Sequence, residues 1–255
     1  MSRCPFRLAV LSLVVAGCKG PPDAPKELEA LAAYMFEKTR DGSDEELAAG
    51  IENLVDWLDD GYAEAHEGYR INRLSQASVD ALDHRQFNLN GLVGASVASR
   101  INHKIKPVVG VLANGDAVAV YGDTYISYDR EWATDGDCHA ARQCLWGEAS
   151  VESLADYGLV EVASSYRAEY RWVETDRGWA HLHRTWLLAP IDALGVRTES
   201  QFYIGVSMED GGRTERFQAS WVAFQTDLPL SEESALNQTI KRLLDSEEEV
   251  DVYLD

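Results

Sequence analysis

Residues 201–223 read QFYIGVSMEDGGRTERFQASWVA, two runs of alternating apolar residues meeting at Gly211-Gly212. Adjacent glycines tolerate the left-handed backbone that a tight hairpin requires. Closing the chain there pairs Phe202 with Trp221, Ile204 with Ala219 and Val206 with Phe217, all on one face. A slip of one residue would send each of these side chains to the opposite face, so turn chemistry and alternation specify a single register. The stretch predicts an antiparallel sheet with one strongly apolar face.

Working upstream, residues 165–188, SYRAEYRWVETDRGWAHLHRTWLL, repeat the pattern around Asp176-Arg177-Gly178. Read as a three-residue loop, this sets Trp172 opposite Leu182 and Ala168 opposite Trp186. One face then carries Tyr166, Ala168, Tyr170, Trp172, Ala180, Leu182, Trp186 and Leu188. The other carries Arg167, Glu169, Arg171, His181, His183 and Thr185. Residues 108–121, VVGVLANGDAVAVY, contain Asn114-Gly115, which predicts a hairpin pairing Val111 with Val118 and Val109 with Val120. Gly122-Asp123 turns into a strand over 124–129, giving about seven strands in all. A short helix is expected over 151–157, and residues 85–106 show no period and read as irregular.

The flanks are helical. Leu28, Leu31, Ala32, Met35 and Phe36 form one stripe that ends at Asp41-Gly42. Ser43-x-x-Glu46 is a capping box, opening a second helix with Leu47, Ile51, Leu54, Val55, Leu58 and Tyr62 at helical spacing. A third, weaker helix runs over 75–82. Beyond Ser231, Leu236, Ile240, Leu243 and Leu244 share a stripe, and the acidic run 245–251 is expected to fray into solvent.

The chain begins MSRCPFRLAVLSLVVAGC, with Arg3 and Arg7 ahead of an apolar run about half the length of a membrane span. Val15-Ala16-Gly17-Cys18 resembles the lipobox of bacterial lipoproteins. That resemblance implies cleavage after residue 17, acylation of Cys18 and anchoring in the cell envelope, with Lys19 in place of aspartate pointing to the outer membrane. Residues 18–25 then form a proline-rich tether. The net charge of −20 becomes more negative once the leader is removed, which opposes nucleic acid and anionic lipid as partners.

Cys138 and Cys144, in CHAARQC, could bind a metal, run redox chemistry or staple a loop. Given the lipoprotein resemblance, Cys4 is discarded and Cys18 acylated, which leaves these two thiols together in an oxidising compartment. Their spacing is not the C-x-x-C of redox catalysts, and zinc would need more ligands than His139 supplies. A disulfide is the reading.

Other chemistry is sparse. His181 and His183 alternate onto one strand face and could chelate a metal, but the register above sets Arg171 against His183, and a solvated polar face is the plainer reading. Arg184 is the lone charge on the aromatic face, with Tyr170 as its neighbour. It must pair with a carboxylate or meet an anionic ligand group. Gly94-Ala95-Ser96-Val97-Ala98 approaches a nucleophile elbow without its last glycine. Asp135-Gly136-Asp137 lacks most of a calcium loop and reads as a turn. No catalytic residue, metal or cofactor is assigned.

The expectation is therefore an α+β fold: an N-terminal helical hairpin, an antiparallel sheet of about seven strands, and a C-terminal helix packed on the sheet. Residues 26–255 form one domain, divided into a helical part (26–83), a sheet part (108–226) and a final helix (231–247). The arrangement is similar in topology to helix-grip START-type lipid-binding domains. The aromatic sheet face with its one arginine points to a non-enzymatic envelope lipoprotein that binds an apolar or amphipathic ligand, or a partner protein, through its sheet and C-terminal helix, with Tyr170, Trp172, Arg184, Trp186 and Trp221 as candidate lining residues. An envelope hydrolase using Ser96 or the histidine pair, and a scaffold docking another envelope protein through the helical hairpin, are the alternatives.

Overall fold

The computed structural model describes residues 23–82, 86–122, 124–156, 158, 160–226 and 231–255. Cys18 and the leader lie outside the described residues. In chain order the elements are α1 (Leu28–Asp41), α2 (Asp44–Glu67), β1 (Tyr69–Arg70), α3 (Gln76–Asp80), β2 (Val93–Ile101), α4 (Ile105–Asn114), α5 (Ala117–Val120), β3 (Tyr125–Trp132), α6 (Gly136–Ala140), β4 (Trp146–Asp156), β5 (Glu161–Thr175), β6 (Gly178–Leu187), β7 (Ile191–Ala193), β8 (Val196–Asp210), β9 (Arg213–Thr226) and α7 (Glu232–Leu254). They build a nine-stranded antiparallel sheet ordered β1-β2-β9-β8-β6-β5-β4-β3, with β7 paired to β8. This is α+β, with the helical hairpin on one face and the long last helix laid across the other, a helix-grip arrangement.

The β8–β9 hairpin has the expected register, with Phe202 on Trp221, Ile204 on Ala219 and Val206 on Phe217. These residues, with Leu182 and Trp186, pack under Phe36, Leu31 and Leu54 of the α1–α2 hairpin. Ser43 and Glu46 make the reciprocal capping bonds read from the sequence. Asn53 also donates to the Ala24 and Pro25 carbonyls, holding the end of the tether against α2.

Four local expectations are corrected. The β5–β6 turn has two residues, not three: Thr175 pairs with Gly178, and the Thr175 hydroxyl accepts from the Arg177 amide. The register moves by one, setting Tyr170 opposite His183, Trp172 opposite His181 and Glu169 opposite Arg184. Residues 105–120 are α4 and α5 rather than a hairpin. Gly115 has φ −68°, outside the left-handed region a type I′ turn needs, and the Asp116 side chain caps α5. The region read as irregular holds β2, a strand buried along nearly its whole length. Its small residues permit close approach: a Cβ on Gly94 would sit 2.6 Å from the Trp221 indole. Residues 151–156, expected to be helical, belong to β4.

At the C-terminus, the acidic run expected to fray continues α7 to Leu254. Glu247 and Val250 are buried, and Asp251 accepts from the Asn102 amide and side chain. Among the described residues, no helix is long and apolar enough to cross a membrane.

Candidate functional site

A long cavity separates the sheet from α7, and its two lobes share Gln201, Tyr203, Arg242, Leu243 and Asp245. The outer lobe, about 630 Å³, is lined mainly by apolar groups, among them Val196, Val222, Phe224 and Ala235. The inner lobe, about 550 Å³, is closed at its far end by α4 and α5 and has a polar floor. Either volume lies in the range of small-molecule sites. The cavity exists because α7 reaches the sheet through polar contacts. Arg216 pairs with Glu247 at 3.1 Å, Ser99 donates to Glu247 at 3.1 Å, and Gln218 donates to the Leu243 carbonyl at 3.2 Å. The first half of the helix contributes no buried residue.

Strand alternation brings Tyr170, His183, Tyr203 and Arg216 onto one face. The Tyr170 and His183 rings stack with centroids 4.5 Å apart, and Tyr203 meets His183 edge-on at 5.5 Å. Tyr203 accepts from Arg216 at 3.1 Å and donates to Gln218 at 2.7 Å. Gly205 makes this possible, since a Cβ there would lie 2.5 Å from the Tyr203 hydroxyl. Arg130 enters from β3 and donates to the Leu112 and Ala113 carbonyls, capping the C-terminal end of α4, and to the Tyr128 hydroxyl.

Burial sets the protonation states of this floor. It pushes Tyr203 up to about 12 and raises Tyr170 further, so both keep their protons. It raises Glu247 despite the opposing pull of Arg216. His183 falls well below its ordinary value, first through burial and then through the charges of Arg130 and Arg216. It is a neutral imidazole.

The residues expected to line a site divide between the two faces. Arg184, Trp186 and Trp221 lie on the hairpin side, away from the cavity. Arg184 pairs with Glu169 at 2.5 Å and donates to the Phe36 carbonyl at 2.6 Å, which meets the requirement for a carboxylate partner. Its cross-strand neighbour is Glu169 rather than Tyr170. Tyr170 and Trp172 are on the cavity side but pack beneath the cysteine loop, where the Trp172 indole donates to the His139 carbonyl at 2.9 Å. The disulfide Cys138–Cys144 is formed, with Cα atoms 5.3 Å apart.

The histidines separate as well. His181 meets His139 through their Nε2 atoms at 3.1 Å in a fully buried pair, and His183 faces Tyr170, not Arg171. Burial lowers His139 to about 4. Arg171 instead donates to the Thr39, Arg40 and Gly42 carbonyls at the end of α1. Among the described residues, no group of three or more His, Cys, Asp or Glu is placed to hold a metal ion. Ser96 is buried in β2, its hydroxyl directed at the Tyr69 carbonyl. Asp135 caps α6 by accepting from the Cys138 amide. Sequence reasoning missed Arg130, Tyr203, Arg216 and Glu247; for Tyr203 and Arg216 the signal available was their alternation with Phe202, Ile204 and Phe217 onto the other face of the 201–223 hairpin, and for Arg130 and Glu247 there was none.

The chain matches no protein-family model and no curated protein. Among solved structures it is similar to a STAR-related lipid transfer protein from Xanthomonas axonopodis, with 12% identity, a TM-score of 0.47, and coverage of 73% of this chain and 92% of that one. It is also similar to Ara h 8.0201, with 8% identity, a TM-score of 0.41, and coverage of 64% and 97%. A third is the ZhuI aromatase/cyclase from Streptomyces sp. R1128, with 11% identity, a TM-score of 0.39, and coverage of 64% and 92%.

Proposed function

We propose that this protein binds an amphipathic small molecule between its sheet and α7, without catalysing its conversion. The observation that carries the reading is the two-lobed cavity, apolar where the first half of α7 bridges it and polar where Glu247 anchors the helix. Such a division suits a ligand with an apolar body and a polar end.

The sequence supports a location for this binding. An envelope lipoprotein anchored through acylated Cys18 would hold the cavity near a membrane, at the reach of a short tether. Metabolic labelling with a fatty acid tests the anchor: Cys18→Ser should abolish incorporation, and persistent label would overturn it.

The cavity is tested by calorimetric titration with dodecanol. Ala235→Trp places an indole in the outer lobe and should weaken binding by about tenfold or more, the cost of losing most of the buried chain contact. Undiminished affinity in a folded variant would overturn the reading.

A further inference from the structure

The inner lobe holds buried polar atoms that the protein itself does not satisfy. Arg130 Nε, His183 Nε2 and Arg216 Nε are each shut off from solvent with no hydrogen-bond partner, and all three side chains line this lobe. The Tyr170 hydroxyl lies beside Arg130 and interacts with it as a neutral partner, supplying no negative charge. Buried polar groups are nearly always paired, and unmade hydrogen bonds of charged groups are among the most costly.

The charges on the floor do not balance either. Arg216 has Glu247 as its counter-ion. Arg130 has the Leu112 and Ala113 carbonyls and the Tyr128 and Tyr170 hydroxyls, and the C-terminal carbonyls of α4 offset part of its charge without supplying an anion. At the buried floor two guanidiniums therefore face one carboxylate across a neutral imidazole, while Arg242, Asp245 and Glu249 meet at the rim. The unmet requirement is one negative charge bearing several acceptor lone pairs, held at the end of a chain that runs back into the apolar lobe.

We infer that the ligand is a long-chain monocarboxylate, its head seated among Arg130, His183 and Arg216 and its chain lying along Leu243 toward Val222 and Phe224. A carboxylate oxygen can accept from Arg130 Nε while the second accepts from Arg216 Nε or from the imidazole N–H. A dianionic phosphate fits less well. Glu247 is already on the floor, and Asp245 and Glu249 stand at the rim of the same lobe, so a second negative charge would meet repulsion. An amine head would be opposed by both arginines.

This assignment rests on the cavity reading above, and the experiment separates the two. Dodecanoate, dodecanol, dodecylamine and dodecyl phosphate share one chain and differ only in the head. At about pH 8, where the carboxylate is ionised, dodecanoate should bind at least about tenfold more tightly than dodecanol, as charge-assisted hydrogen bonds require. Arg130→Gln and, separately, His183→Leu should shrink that preference by at least about threefold, read within each variant as the ratio of dodecanoate to dodecanol affinity. Circular dichroism and a cooperative urea transition establish that the variants are folded, and an undiminished ratio in both would overturn the assignment of the head to these side chains. Equal affinity for acid and alcohol would overturn the carboxylate head and leave the cavity reading standing. Tighter binding of the phosphate or amine would overturn it in the same way. Failure of all four probes to bind would overturn the cavity reading, and this inference with it.

Discussion

The two faces of the sheet are made by the same strands and have opposite characters. On the hairpin side, Trp186, Phe202, Phe217 and Trp221 interlock with Phe36 and the leucines of α1 and α2. The charges beneath α1, Arg184 and Glu169, are paired with each other, and Arg40 adds a second contact to Glu169. On the α7 side the same strands present His183, Tyr203, Arg216, Gln218 and Ser220; over the cavity the helix is held off by an ion pair and hydrogen bonds, and its close apolar packing is at its far end, where Val250 meets Ile101, Val108 and Val120. One face carries the stability and the other carries the space. A cavity is tolerated beneath α7 because the hairpin face supplies a closed core independently of it.

That contrast can be broken most directly by truncation on each side. Trp221→Ala should cost about 3–5 kcal/mol in urea unfolding, the usual penalty for a large aromatic removed from a close-packed site. Leu243→Ala, beside the cavity on α7, should cost less than about 2 kcal/mol, because its neighbours already border open space. Equal costs would mean that the two faces are packed alike.

Acid should attack the α7 side first. Burial holds His139 near 4 and lowers His181 and His183 well below the ordinary 6.5, so the folded chain resists protons that the unfolded chain accepts. Stability is therefore full above about pH 6.5 and falls as pH drops through that value, by on the order of 3 kcal/mol from His139 by about pH 4. Urea midpoints across this range give the slope, and His139→Phe should flatten it. A pH-independent midpoint would show that these imidazoles are not held neutral.

A further change sharpens the comparison at the edge of the cavity face. Reducing Cys138–Cys144 should lower stability by ~2 kcal/mol, as expected for so short a closed loop. It acts on the segment carrying His139, so Cys138→Ser/Cys144→Ser should also move the acid limb. Thermal unfolding with and without reductant, compared with the double variant, measures both.

Much of the architecture was legible where local signals agreed. The 201–223 hairpin, the capping box at Ser43 and the apolar stripe of α1 each had turn or cap chemistry and periodicity pointing the same way. The misread segments had one signal without the other. Asp176-Arg177-Gly178 fits a two- or a three-residue loop, and the choice reverses a whole strand face, which is why Trp186 and Arg184 moved away from the cavity and His183 moved into it. In residues 108–121 the β-branched residues and Asn114-Gly115 favoured strands. The tertiary fold instead buries Val108, Val109 and Ala113 as a helix end capped by Arg130. β2 was invisible because its glycine, alanines and serines carry little intrinsic strand preference and are chosen for close approach.

By itself the sequence determined the fold class, the two helical flanks, the register of the central hairpin and the closely spaced Cys138–Cys144 pair, because each is encoded by residues near one another in the chain. Only the tertiary structure decided the site. Arg130, His183, Tyr203, Arg216 and Glu247 come from β3, β6, β8, β9 and α7, and each alone reads as a polar residue on a wet surface. They share one lobe because α7 and α4 close over the sheet there, and that enclosure leaves donor atoms of Arg130, His183 and Arg216 buried without partners.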